Sequence, residues 1–217
     1  MTYEKRQLPI NTICFAGVLI LFLVLEAIEN FMPAWNIPII IVKGLASAIP
    51  VGLAIFSSTK RPDAFNIGFS IVLFVYFLGD IFIRINFVAG VVAFFIANLL
   101  MSAIFLKISK FSMWQLILYL ICLVLALVIL IFFKDFLTNL FYPILIYSFV
   151  VIFMMVSSLR MRPMVKIGAI IFFISDFLLG VGLAGFGNPI LSFISLGLYY
   201  IAISILANVV YKRSLGY

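Results

Sequence analysis

Six ionisable side chains fall inside long apolar runs of this 217-residue chain: Glu26, Glu29, Lys43, Asp80, Arg84 and Asp176. Ionisable groups within a membrane are costly, and they face a bundle interior or a wet cavity. A protonated carboxyl beside an ionised one is the arrangement that does general acid–base work. Little else is on offer. The chain has no histidine, which excludes Ser-His-Asp and Cys-His catalysis and every zinc site built on imidazole. Cys14 and Cys122 sit in separate apolar runs, so neither a thiolate metal cluster nor a disulfide framework is expected. No metal and no cofactor is expected either. Chemistry must come from seven carboxylates, the bases and neutral polar groups in lipid.

Those residues need helices to hold them. The chain is 67% hydrophobic and 10% charged, with mean hydropathy +1.37, whereas a soluble domain is about 45–50% apolar and about 25% charged. This excludes an ordinary soluble protein, a disordered chain and a nucleic-acid binder. A spanning helix takes about 20 mostly apolar residues. Eight such runs can be drawn, at roughly 13–31, 37–56, 64–84, 88–106, 113–133, 138–157, 163–184 and 190–211. Pro33 and Pro38, the loop Ser57–Asp63 and the loop Arg160–Pro163 punctuate them. The third and fourth are separated at Arg84-Ile85-Asn86, because one helix of that length would not fit a bilayer. The expected fold is a single all-α polytopic membrane bundle of eight transmembrane helices over residues 1–217.

Lysine and arginine set the orientation. With the N-terminus inside, inner segments hold Lys5, Arg6, Lys60, Arg61, Lys107, Lys110, Arg160, Arg162, Lys166, Lys212 and Arg213, which is 11 of 14 bases. Only Lys43, Arg84 and Lys134 lie outside. Cytoplasmic loops carry such an excess, so both termini are expected in the cytoplasm, in a multi-pass protein of the cell (inner) membrane. The net charge of +7 is then read as topology and contact with anionic membrane lipids. Lys5 and Arg6 ahead of an apolar run mimic a signal peptide, but Glu26 and Glu29 follow and no A-x-A site appears. The first span is read as retained.

Depth singles out a site. At 1.5 Å per residue, Glu26 and Asp176 lie about 20 Å from the inner ends of their helices and Asp80 about 24 Å. Lys43 lies about 9 Å from the outer end of its own. In a hydrocarbon core about 30 Å thick, all four share one slab in the outer half. A structural salt-bridge cluster would place Lys43 against one carboxylate. One lysine cannot neutralise three carboxylates, however, so the cluster is expected to hold a proton near neutral pH. Asn98, Tyr147, Ser175, Tyr199 and Tyr200 fall at similar depth and are candidates by association; singly, such residues more often join helices together.

Two patterns are set aside. Gly180–Gly185 spells G-x-G-x-x-G, but it ends an apolar helix, follows no strand and precedes no acidic residue. The 25 phenylalanines are read as core or lipid-facing. A faint echo links Leu78-Gly79-Asp80 to Ile174-Ser175-Asp176, on spans that run the same way, as a parallel duplication would.

Four stretches resemble the YhhN family of membrane proteins, which includes the lysoplasmalogenases. Gly79-Asp80 closes an apolar helix. Gly168 to Leu179 resembles the family's G-A-x-x-F-x-x-S-D-x-x-L signature, the most specific of the four. Lys43 opens the second span, followed by Gly44 where the family usually has proline. Tyr147, with Met154 and Met155, resembles the sixth-span tyrosine and methionine. The likeness runs over roughly residues 35–205. Gly90 to Asn98 resembles the fourth-span motif, which usually ends in histidine; Asn98 stands in its place, and Met101 where a tyrosine is usual.

The resemblance implies hydrolysis of the vinyl ether bond of a lysophospholipid-type substrate, a lysoplasmalogen, to a fatty aldehyde and a glycerophospho-headgroup. It implies Asp80 and Asp176 as catalytic residues, without metal or cofactor. Lys43, Glu26, Asn98, Tyr147, Ser175 and Tyr199 are the candidate substrate-binding residues. Two other readings use the same polar cavity: a transporter or binding protein for lipids or small molecules, and a family member that has lost activity.

Overall fold

The computed structural model describes residues 4–216, with side chains over residues 10–216. Lys5 and Arg6, counted above on the inner side, lie outside the described side chains. The described residues form helices and no strand: α1 (Glu4–Phe31), α2 (Asn36–Lys60), α3 (Ala64–Ile85), α4 (Phe87–Ile108), α5 (Met113–Phe132), a single turn α6 (Lys134–Leu137), α7 (Phe141–Ser158), α8 (Pro163–Val181) and α9 (Pro189–Ser214). Eight helical stretches are long and apolar enough to cross a membrane. The protein is an integral, multi-pass membrane protein.

The sequence breakers act where their chemistry dictates. Asp63 caps α3, accepting from the Asn66 amide at 2.9 Å. Asn86 alone separates α3 from α4. Its N–H donates to the Phe82 carbonyl, and its side chain accepts from the Ala89 amide at 3.1 Å. So tight a hairpin forces the two backbones together: a Cβ on Gly90 would lie 2.4 Å from Ile83 Cα. Pro189 at the first turn of α9 follows the cap Asn188.

Three boundaries differ from the sequence reading. Pro38 falls inside the first turn of α2, where a missing N–H has no helical partner to lose. The sixth span starts with α6 and a 3₁₀ turn, Thr138–Leu140, before α7 takes over at Phe141. The seventh ends as α-helix at Val181 and continues as a π turn, Gly182–Phe186, closed by Gly185 at φ 96°. That left-handed conformation is one glycine adopts freely, and it accounts for the end of the glycine-rich stretch.

In the bundle, α9 packs against α8, α2, α3 and α1, and so joins the two ends of the run of neighbours α2–α3–α4–α7–α8 into a ring. By contrast, α5 touches chiefly α7. Its one buried side chain, Gln115, donates to the Val156 carbonyl at 2.8 Å. Beneath the polar residues lies an aromatic layer of Tyr76, Phe94, Phe172 and Tyr199, with ring centroids 4.7–6.5 Å apart. Bases in and beside the α2–α3, α4–α5 and α7–α8 connections and at the end of α9 gather at one end of the bundle, where Arg61 donates to the Arg213 carbonyl and Arg160 to the Lys110 carbonyl, each at 3.0 Å.

Candidate active site

Asp80 is on α3 and is 1% exposed. Gly79 before it faces Phe94, leaving too little room there for a Cβ without a shift of the ring. Burial demands partners for the carboxylate, and two hydroxyls supply them. Tyr199 of α9 donates to Oδ2 at 2.7 Å, and Ser47 of α2 donates to the same oxygen. Ser47 lies one turn after Lys43, whose carbonyl is 3.1 Å from the same hydroxyl.

Asp176 is on α8 and is half-buried. Its Oδ2 accepts from the Tyr147 hydroxyl of α7. That tyrosine is itself held: Asn98 Nδ2 donates to its oxygen at 3.0 Å. Asn98 Oδ1 in turn accepts from the Tyr76 hydroxyl at 2.7 Å. Tyr76, Asn98, Tyr147 and Asp176 therefore form one directed chain through α3, α4, α7 and α8. Because Asn98 donates to Tyr147, the tyrosine proton is left for Asp176. Among the described residues, Oδ1 of neither aspartate takes a hydrogen bond.

Both aspartates open on one cavity of about 430 Å³. Glu26, Lys43, Tyr147, Ser175 and Tyr199 line it too. Asn98 does not; it is fully buried behind Tyr147. Ser175 is committed to packing: its hydroxyl donates to the Ser195 carbonyl at 2.7 Å, and Ser195 returns the bond at 2.9 Å. This reciprocal clamp fixes α8 against α9. No carboxylate oxygen among the described residues lies within 4.0 Å of the Lys43 ammonium. The ion pair in the cavity wall is instead Arg84 with Glu29, at 3.7 Å.

Two contributors were not singled out from sequence. Ser47 stands four residues after Lys43, on the same helix face, and Tyr76 four residues before Asp80. That spacing is the only signal either carries. The remaining information is the register of α2 against α3 and of α3 against α4.

The comparison with known families settles what kind of protein carries this cavity. Residues 39–210 match the YhhN family. The chain belongs to the YhhN family. The match takes in every helix that lines the site except α1, and it includes Lys43, Asp80, Asn98, Tyr147, Asp176 and Tyr199. No curated protein and no solved structure matches the chain. As a YhhN protein it is a membrane helix bundle with two aspartates facing a common polar cavity.

Proposed function

We propose that this YhhN protein hydrolyses the vinyl ether bond of lysoplasmalogens within the membrane. The observation that carries the reading is the pair Asp80 and Asp176. They open on one cavity, and each is held at a single oxygen by hydroxyl donors. Such donors keep a carboxyl in place in either protonation state, and no buried counter-charge is stranded when a proton moves.

The chemistry fits two carboxyl groups. One donates its proton to the vinyl ether carbon remote from oxygen. The carbon bonded to oxygen becomes an oxocarbenium centre, which the carboxylates stabilise. Water adds there as a carboxylate takes its proton. The resulting hemiacetal collapses: its hydroxyl proton leaves, the carbon–oxygen bond to glycerol breaks, and the glycerol oxygen takes up a proton. The products are a fatty aldehyde and the glycerophospho-headgroup, and both carboxyl groups return to their starting states.

The remaining cavity residues suit a lysophospholipid. A volume of about 430 Å³ falls within the roughly 300–1,000 Å³ common for ligand sites. Lys43, without a contacting carboxylate, is placed for the phosphate, and Glu26 shares the same wall. Tyr147 and Tyr199 fix the aspartates, and Asn98 acts through Tyr147. The lysine and arginine distribution supports cytoplasmic termini in a cell membrane, which turns the cavity toward the outer leaflet.

The test is aldehyde release by the purified protein in mixed micelles. Lysoplasmalogen is the substrate, and the lysolipid with a saturated ether is the control. Aldehyde from the vinyl ether alone is expected. Substrate-dependent flux through proteoliposomes with no aldehyde formed would replace the hydrolase with a transporter.

A further inference from the structure

A second cavity, of about 370 Å³, opens at the basic end of the bundle. It is well away from the aspartates: Arg162 and Asp176 stand about 21 Å apart along α8 at its rise per residue. Four bases line it, Arg160, Arg162, Lys212 and Arg213, and no carboxylate among the described residues does. The Arg160–Pro163 loop and the last turn of α9 supply these bases. Its other walls are apolar, among them Ile108, Met164 and Val209.

The bases are not equivalent. Arg213 is neutralised by Asp63 at 3.2 Å and lies over the Phe65 ring. Arg160 donates to the Lys110 carbonyl at 3.0 Å. That partner fixes the guanidinium and, being neutral, adds no counter-charge. Neither Arg160 nor Lys212 has a described carboxylate within ion-pair distance.

A cationic rim over an apolar interior matches the two ends of a phospholipid. Arginine and lysine bind phosphate oxygens by charge-assisted hydrogen bonds, and basic pockets between membrane helices take anionic headgroups. A zwitterionic headgroup brings its own cation to a rim already cationic; an anionic headgroup does not. We infer that this cavity binds an anionic phospholipid, with its phosphate between Arg160 and Lys212 and an acyl chain against Ile108, Met164 and Val209. The site is independent of the hydrolytic one and holds whether or not the protein cleaves lysoplasmalogen.

The experiment titrates the purified protein in neutral detergent with phosphatidylglycerol, phosphatidylcholine or inorganic phosphate. The thermal midpoint is followed by tryptophan fluorescence. Phosphatidylglycerol is expected to stabilise at a concentration about tenfold below phosphatidylcholine, and Arg160→Gln/Lys212→Gln to erase that difference. Lys60→Gln/Lys107→Gln removes as many charges at the same end but outside the cavity, and it should retain the preference. If Arg160→Gln unfolds the loop at Lys110, Lys212→Gln alone carries the test and must weaken the preference at least about threefold. Equal weakening in the cavity and control variants would assign the effect to the diffuse surface field and overturn the site. So would equal stabilisation by the two lipids. Stabilisation by inorganic phosphate to the same extent would make it an anion site and overturn the lipid.

Discussion

The molecule holds its acids in two different ways. At the basic end, Asp63 is partly exposed and lies beside two cations, Arg61 at 3.3 Å and Arg213 at 3.2 Å. In the cavity, Asp80 and Asp176 have no cation in contact among the described residues and are held by Ser47, Tyr199 and Tyr147. Burial pulls the Asp63 carboxyl upward, but the Asn66 amide, Arg213 and Arg61 outweigh it and hold it below the usual carboxylate range. An acid fixed by cations stays ionised and caps a helix. An acid fixed by hydroxyls keeps its geometry through a change of protonation, which is what proton transfer requires.

The sharpest way to break this comparison is to remove each acid isosterically. Asp80→Asn and Asp176→Asn should each lower aldehyde release by about 10²- to 10⁴-fold, with the folded protein recovered in normal yield. Asp63→Asn should leave the rate within about twofold, being remote from the chemistry.

Within the cavity the two aspartates are supported unequally, which gives a finer test. Asp176 has one hydroxyl donor and Asp80 has two. Tyr147→Phe should therefore lower kcat more than Ser47→Ala, by about tenfold against about threefold, one hydrogen bond being worth about 1 kcal/mol. Asn98→Leu should follow Tyr147→Phe in direction and fall short of it. Asn98→His keeps a donor toward Tyr147, and a rate at or above wild type is expected.

The smallest effect belongs to Asp63. Its folded-state value lies below its unfolded one of about 3.9, so it stabilises the fold above that pH and loses the contribution as pH falls through the folded value. Asp63→Asn should destabilise by roughly 1 kcal/mol or less at pH 7. Thermal midpoints of variant and wild type should converge in acid.

Most of the fold was legible in the sequence because bilayer thickness fixes helix length and the breakers are sharp. Asp63, Asn86 and Pro163 sit where such residues end or begin helices. What misled were residues whose effect depends on position within a turn. Pro38 reads as a connector but tolerates the first turn of α2. The glycines from Gly180 read as room for close packing or a cavity mouth; Gly180 and Gly182 do line the cavity, and Gly185 closes a π turn.

The site was legible through depth and through the family resemblance: Glu26, Lys43, Asp80 and Asp176 share one level and line one cavity, and the resemblance points to the two aspartates. Depth says nothing of rotation about the helix axis. That is why nothing in the sequence marks out Ser47 and Tyr76, why the ion pair in the wall is Arg84 with Glu29 and not one through Lys43, and why Asn98 lies behind the cavity instead of facing it.

In the proposed reaction, carboxyl groups in this cavity protonate carbon. Hydrolysis of lysoplasmalogen in deuterated water, with the aldehyde trapped at once by reduction, tests it most directly. One deuterium is expected on the carbon next to the former aldehyde carbon, with a rate slower than in ordinary water. Aldehyde released without that deuterium, or at a rate untouched by Asp80→Asn and Asp176→Asn, would contradict it.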